Sequence, residues 1–218
     1  MNRRIFTALG LFGALAFVAC SESGTEPFAP LGAQAPAVQE TSEARGAAPA
    51  PAPGDEAIAT IAINAGFSEL VGALVYVDEE LDAGLVDLFL NGTDQYTVFA
   101  PTNEAFQRLY GLLSAVLGAE IDEIRDVPAQ VVLDVLFYHV AEGRRAAASV
   151  LPPTGEREIT TLLGETFDVR TDGTIEDGLT GLREDAAIVA ADISASNGII
   201  HVIDQVIVPP SVVAALTN

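Results

Sequence analysis

The side chains of this chain that could do chemistry are few in kind: His139, His201, the single Cys20, 10 arginines and 31 carboxylates, with no lysine. Two histidines cannot build a three-histidine metal site, and once Cys20 takes the role argued below no cysteine remains for zinc. Neither histidine has a serine and carboxylate partner at an identifiable spacing, no G-x-S-x-G elbow occurs, and no glycine-rich phosphate loop is present. Carboxylates are so numerous that some pair must lie close by chance, so a general acid and base cannot be read from them. The expectation is a protein that is not an enzyme and takes no metal or cofactor. His201 alternates with Ile199 and Ile203 and reads as a hydrogen-bonded core histidine rather than a ligand; His139 ends an apolar helix and reads the same way.

The carboxylates act together as a field. A net charge of -21 repels nucleic acid phosphates and anionic lipid surfaces, so no nucleic acid partner is expected. Such a surface serves solubility, or equally an environment of high salt, where screening shortens to about 3 Å at 1 M.

Cys20 gains its meaning from position. Met1-Asn2-Arg3-Arg4, an apolar run from Ile5 to Val18 and then Ala19-Cys20 give a positive start, a hydrophobic stretch and a small residue at the cut. The run is too short, and too abruptly ended by Ser21-Glu22-Ser23, to span a bilayer well. Phe17-Val18-Ala19-Cys20 resembles the lipobox of bacterial lipoproteins, with Phe17 departing from the usual aliphatic residue. The resemblance implies that residues 1–19 are a signal peptide and that Cys20 is acylated, making the lipid chain the only tie to a membrane. Ser21 after the cysteine favours the outer membrane within the cell envelope.

Residues 20–54 are rich in alanine, proline and glycine and end in Ala47-Ala48-Pro49-Ala50-Pro51-Ala52-Pro53-Gly54. They cannot bury enough apolar surface to offset their ordering entropy and read as a disordered tether, extended by its Ala-Pro alternation. Residues 55–218 carry the pattern of one packed domain, long enough to hold a core without disulfides. Ile58, Ile61, Ala62 and Ala65 form one helical stripe; Phe67, Leu70, Val71, Leu74 and Val75 form another. Asn91-Gly92 ends a third helix around Leu85–Leu90. Tyr96–Ala100 is strand-like and stops at Pro101, with Thr102 placed to cap a helix through Phe106, Leu109, Leu113 and Leu117. A later helix starts near Pro128 and runs into Phe137-Tyr138-His139-Val140. Glu158–Leu162, Thr166–Arg170 and Ala187–Ala191 are strand candidates, with a turn at Thr171-Asp172-Gly173. After Asn197-Gly198 an almost unbroken β-branched run to Val208 predicts a strand buried on both faces.

Three separated segments carry a family resemblance: T-V-F-A-P-T-N-E-A-F at 97–106, Y-H at 138–139, and N-G-I-I-H-V-I-D-Q-V-I-V-P at 197–209, with T-L-L-G at 161–164 between the last two. In this order they resemble the fasciclin domain family. The resemblance covers residues 55 to 213 and implies an α+β fold in which helices pack on a wedge of two β-sheets. It also implies a non-enzymatic role in adhesion, toward a cell-surface protein, an extracellular polysaccharide or a second copy of the chain. The family's proposed receptor contact falls here on Leu136, Phe137, Tyr138, His139 and Val140, although a buried joint between helix and sheet explains the same residues. Some fasciclin-like proteins imply another class, a carrier for an apolar small molecule such as a pigment or lipid.

Overall fold

The structure, a computed structural model, describes residues 52–216. Contacts divide the chain between Ser42 and Glu43, and every described residue belongs to the second unit. The expected signal peptide, Cys20 and the tether as far as Pro51 lie outside the described residues.

Helices α1 (Ile58–Asn64), α2 (Ser68–Leu81) and α3 (Leu85–Asn91) follow one another around tight corners. Gly66, at φ 79°, takes the left-handed conformation between the first two. Asp78 in α2 caps α3, its carboxylate accepting from the Leu85 and Val86 N–H groups at 2.7 and 2.8 Å, where a negative charge complements the helix end. Strand β1 (Tyr96–Pro101) leads into α4 (Asn103–Leu117), whose expected cap is observed: the Thr102 hydroxyl accepts from Ala105 N–H at 3.2 Å. After a 3-10 turn at Ile124–Asp126, α5 (Ala129–Tyr138) starts directly behind Pro128 and passes into β2 (Val140–Glu142). The rest is α6 (Ala147–Val150), β3 (Glu156–Thr160), β4 (Thr166–Arg170), β5 (Thr174–Glu176), β6 (Ala186–Ala195), β7 (Gly198–Ile203) and α7 (Pro210–Leu216).

The strands line up as β2-β1-β7-β6-β5-β4-β3. Only β1 and β7 run parallel, Tyr96 to Pro101 in step with Gly198 to Ile203; every other pair is antiparallel. Two wings therefore meet at β6, whose first residues pair with β5 while the remainder, interrupted by two register shifts, pairs with β7. Such bulges bend a strand, and this one lets a single order of strands act as the expected wedge. β1 shows why the wedge has two cores. Val98 and Ala100 face the helices, whereas Phe99 points the other way and meets Phe167 edge-on, with ring centroids 5.0 Å apart.

The Asn197-Gly198 turn does more than reverse the chain. A Cβ on Gly198 would lie 2.1 Å from the Tyr96 carbonyl oxygen, so only glycine lets β1 and β7 approach. Asn197, 3% exposed, accepts from Ile58 N–H at 2.9 Å and donates to the Phe89 carbonyl at 3.0 Å. One side chain thus ties α1 and α3 to the start of the central strand. Nearby, Ala52–Glu56 is fastened to β6: Gly54 N–H donates to Ala195 O at 3.2 Å, Ser196 N–H to Glu56 O at 2.8 Å, and Arg144 to Ala52 O at 3.1 Å. The last residues of the expected tether, 52–54, are therefore ordered by contacts with the sheet.

Three strands differ in extent from the sequence expectation: β6 runs on past Ala191 to Ala195 by pairing with β7, and the ends of β7 and β3 have traceable reasons. β7 ends at Ile203 rather than running on to Val208: Asp204 N–H still bonds Ala187 O of β6, but further on the N–H groups are taken by side chains, Ile207 by His139 and Val208 by Asp177. β3 ends at Thr160, because Thr161 turns to bond Glu165 O through both its N–H and its hydroxyl.

Candidate functional site

The helix-to-sheet corner at residues 136–140 gathers the sequence-predicted contact residues. Leu136, Tyr138, His139 and Val140 are buried, and Phe137 is partly exposed. Helix α5 ends because His139 folds back: its Nδ1 lies 2.7 Å from the Val135 carbonyl, and its Nε2 accepts from Ile207 N–H at 3.1 Å. Since Nε2 faces a donor, the proton belongs on Nδ1. Burial lowers the His139 pKa to about 4, against the Val135 carbonyl bond and with the help of the Arg183 charge. The Tyr138 hydroxyl donates to Thr166 O at 2.8 Å, and burial raises its pKa.

His201 is locked in the opposite tautomer. Its Nδ1 accepts from Asp192 N–H at 3.3 Å, so Nε2 carries the proton toward Arg145 O, 2.9 Å away. It is fully buried, stacks at a tilt on Phe99, and burial again depresses its pKa. All four imidazole nitrogens thus face backbone groups, which leaves neither ring a free nitrogen for a metal or a proton transfer. Among the described residues no group of three or more histidine, cysteine or acidic side chains is placed to hold a metal ion.

One ionic arrangement was not foreseen from the sequence: its two charges are only six residues apart, but they lie in an irregular loop and their role depends on Val206 and Val208, further along the chain. Asp177, fully buried at its side chain, receives Arg183 and Val208 N–H, both at 2.8 Å, on one carboxylate oxygen and Leu179 N–H at 3.0 Å on the other. Burial raises the Asp177 pKa, while the Arg183 charge and the backbone donors oppose the rise. Arg183 also donates to Val206 O at 2.9 Å. The pair pins residues 206–208, which form one wall of a cavity.

That cavity, of about 130 Å³, lies between α2, α4, α5 and α7. Its floor is the buried set Leu70, Ala73, Phe106, Val132 and Leu136; its mouth is the more exposed Leu113, Leu117, Val131 and Leu216. The two ionisable groups in its wall are committed elsewhere: His139 as above, and Asp126 to the Asp122 and Glu123 N–H groups, which hold its carboxyl below the usual range. The lining can offer apolar contact and little else.

Fold and corner together define a mixed α+β domain in which both histidines and the Asp177–Arg183 pair are engaged in holding the architecture. Comparison with known proteins gives this class its family. The sequence matches the family model described as Fasciclin domain over residues 65–209. Protein sll1483 of Synechocystis is 36% identical over 178 residues, covering 80% of this chain and 86% of that protein. The cell surface glycolipoprotein MPB83 of Mycobacterium bovis is 34% identical over 130 residues, 60% of this chain and 50% of its own length. Human periostin is 33% identical over 119 residues, 53% of this chain but only 12% of periostin. Among solved structures, a FAS1 domain pair from the insect cell adhesion molecule fasciclin I aligns with 64% of this chain and 45% of its own, at a TM-score of 0.42 and 19% identity. The chain belongs to the fasciclin domain family. Of these relatives, MPB83 is by name a cell-surface glycolipoprotein.

Proposed function

We propose that the protein is a non-enzymatic adhesion module of the cell envelope, held at the outer membrane by acylated Cys20 and displayed on a tether that runs from residue 20 to the point where Ala52 joins the sheet. Its partner is a cell-surface protein, an extracellular polysaccharide or another copy of itself. The observation that carries this reading is the fasciclin match over 65–209. MPB83, a relative whose name makes it a surface lipoprotein, supports the anchored form. Residues 136–140 remain the proposed family-type contact, with Phe137 as the side chain that a partner reaches first.

The test uses beads coated with the protein. Capture of envelope polysaccharide, matrix protein or other coated beads is expected. Homophilic binding should rise with salt or calcium, because a charge of -21 opposes self-contact at low ionic strength. Beads inert toward all of these across the series would remove the adhesion reading. Cys20→Ala should move folded protein into the aqueous fraction; retention in the membrane would refute the anchor.

A second reading, a carrier for an apolar small molecule such as a pigment or lipid, is favoured by the cavity between α4, α5 and α7. Solvent extraction of protein purified from its own cells, followed by mass spectrometry, is expected to release a stoichiometric apolar compound; a clean extract would argue against it.

A further inference from the structure

The outer side of α2 carries a second apolar hollow, an open cleft of about 580 Å³ between the α1–α2 corner and the 3-10 turn at 124–126. Phe67 and Val71 line it half-buried, while Ile63 and Val75 stand 59% and 37% exposed. Contiguous apolar side chains left in water in a concave site mark a contact surface.

The walls are held in place before any partner arrives. Asn103 bridges the corner, accepting from Glu69 N–H at 3.1 Å and donating to Gly66 O at 2.9 Å. On the facing wall Arg125 reaches Glu79 at 2.5 Å and lies over the Tyr76 ring, 5.0 Å from its centroid, and Tyr76 donates to Val127 O. A preformed surface loses little entropy on binding.

Charge selects the occupant. Between residues 52 and 107 the chain has no arginine, lysine or histidine, but has ten acidic side chains. Glu69 and Glu123 line the cleft, and its sole cation, Arg125, is already paired. An anionic or acidic partner is repelled here, and a neutral sugar leaves the apolar floor unused.

We propose that this cleft docks a basic amphipathic peptide segment of a partner protein, its apolar side chains seated on Phe67, Val71 and Val75 and its cationic residues over Glu69 and Glu123. The proposal rests on the binding-module reading and supplies its surface and partner class. Steering by the acidic face then sets the association rate, and rising salt slows it.

Fluorescence anisotropy of the full chain with a labelled helical leucine-lysine peptide tests this, against a serine-lysine peptide of equal charge. The leucine-lysine peptide is expected to bind more tightly and to lose about tenfold in affinity on Ile63→Ser with Val75→Ser, while the serine-lysine peptide is indifferent to these changes. Arg125→Gln, which frees Glu79, should tighten the leucine-lysine complex about threefold. All three positions are exposed, and unchanged melting curves verify the fold. Equal affinity of wild type and the double variant overturns the proposal, as does equal binding of the two peptides. A sedimentation shift to monomer caused by the same double substitution also overturns it, because the cleft would then belong to a second copy. The bead assay runs separately: beads that adhere while the peptides fail to discriminate sink this surface and leave the binding-module reading standing.

Discussion

Helix α2 separates two apolar hollows, and the contrast between them shows how one element divides its side chains between stability and contact. Its inner stripe, Leu70, Ala73, Leu74 and Val77, is buried, and Leu70 and Ala73 form part of the cavity floor. Its outer edge, Val71 and Val75, lies at the cleft and is still partly in water. The residue types are alike on both sides. What differs is coverage: α4, α5 and residues 206–208 close over the inner stripe, whereas the outer edge has only the α1–α2 corner and the 3-10 turn beside it, with an open cleft between them. Identical chemistry therefore stabilises the fold in one place and is left for a partner in the other.

Substitution along α2 is the most direct way to break this contrast. Leu70→Ala should cost about 3 kcal/mol, because the neighbours cannot collapse fully onto the space left; chemical denaturation of the variant measures it, and a loss as small as that of an exposed site would erase the distinction. Acidification gives an effect of similar size at the cavity's edge. His139 is neutral when folded with a pKa of about 4, against about 6.5 when unfolded. Between those values the unfolded chain binds more protons, so stability is full above about pH 6.5 and falls as the pH drops toward 4, by about 3 kcal/mol in all. His201 titrates in the same sense, and the buried Asp177, its pKa raised, in the opposite sense. Denaturation midpoints across this range should decline with acid in the wild type and decline less in His139→Gln. Equal slopes would mean that the ring is not the neutral, sealed group described.

Smaller effects sharpen the comparison. Val71→Ala, at a half-buried position, should cost about 1 kcal/mol, and Val75→Ser should stay within about 0.5 kcal/mol. A monotonic decline from Leu70 through Val71 to Val75, read from melting curves, is the expected signature of a helix buried on one side only. A large loss at Val75 would show that the cleft is part of the core.

Much of this was legible in the chain, though not all for the same reason. Thr102 announced its helix because a cap is a local interaction, decided within three residues by a hydroxyl and the Ala105 N–H. The run from Ile199 announced a doubly covered strand because apolar residues on both faces admit no other half-solvated arrangement. By contrast, the pattern Leu70, Val71, Leu74, Val75 predicts a single core face, and only the packing of α4 and α5 divides it. Leu136 to Val140 were recognisable as a group, but their burial depends on the sheet they enter. Asn197 was visible as half of a turn and not as the residue joining α1, α3 and β7, since its partners Ile58 and Phe89 lie more than 100 residues away.

The sequence by itself determined the family, the starts of α4 and α5, the central strand and the absence of a three-histidine metal site, because each depends on residue type at short range or on simple count. Tertiary structure alone decided which tautomer each histidine holds, where β7 ends, how Asp177 and Arg183 pin residues 206–208, and which side of α2 meets water. Those outcomes turn on which remote backbone groups compete for the same donors and acceptors, and on which apolar faces find cover, and neither can be settled before the chain has closed on itself.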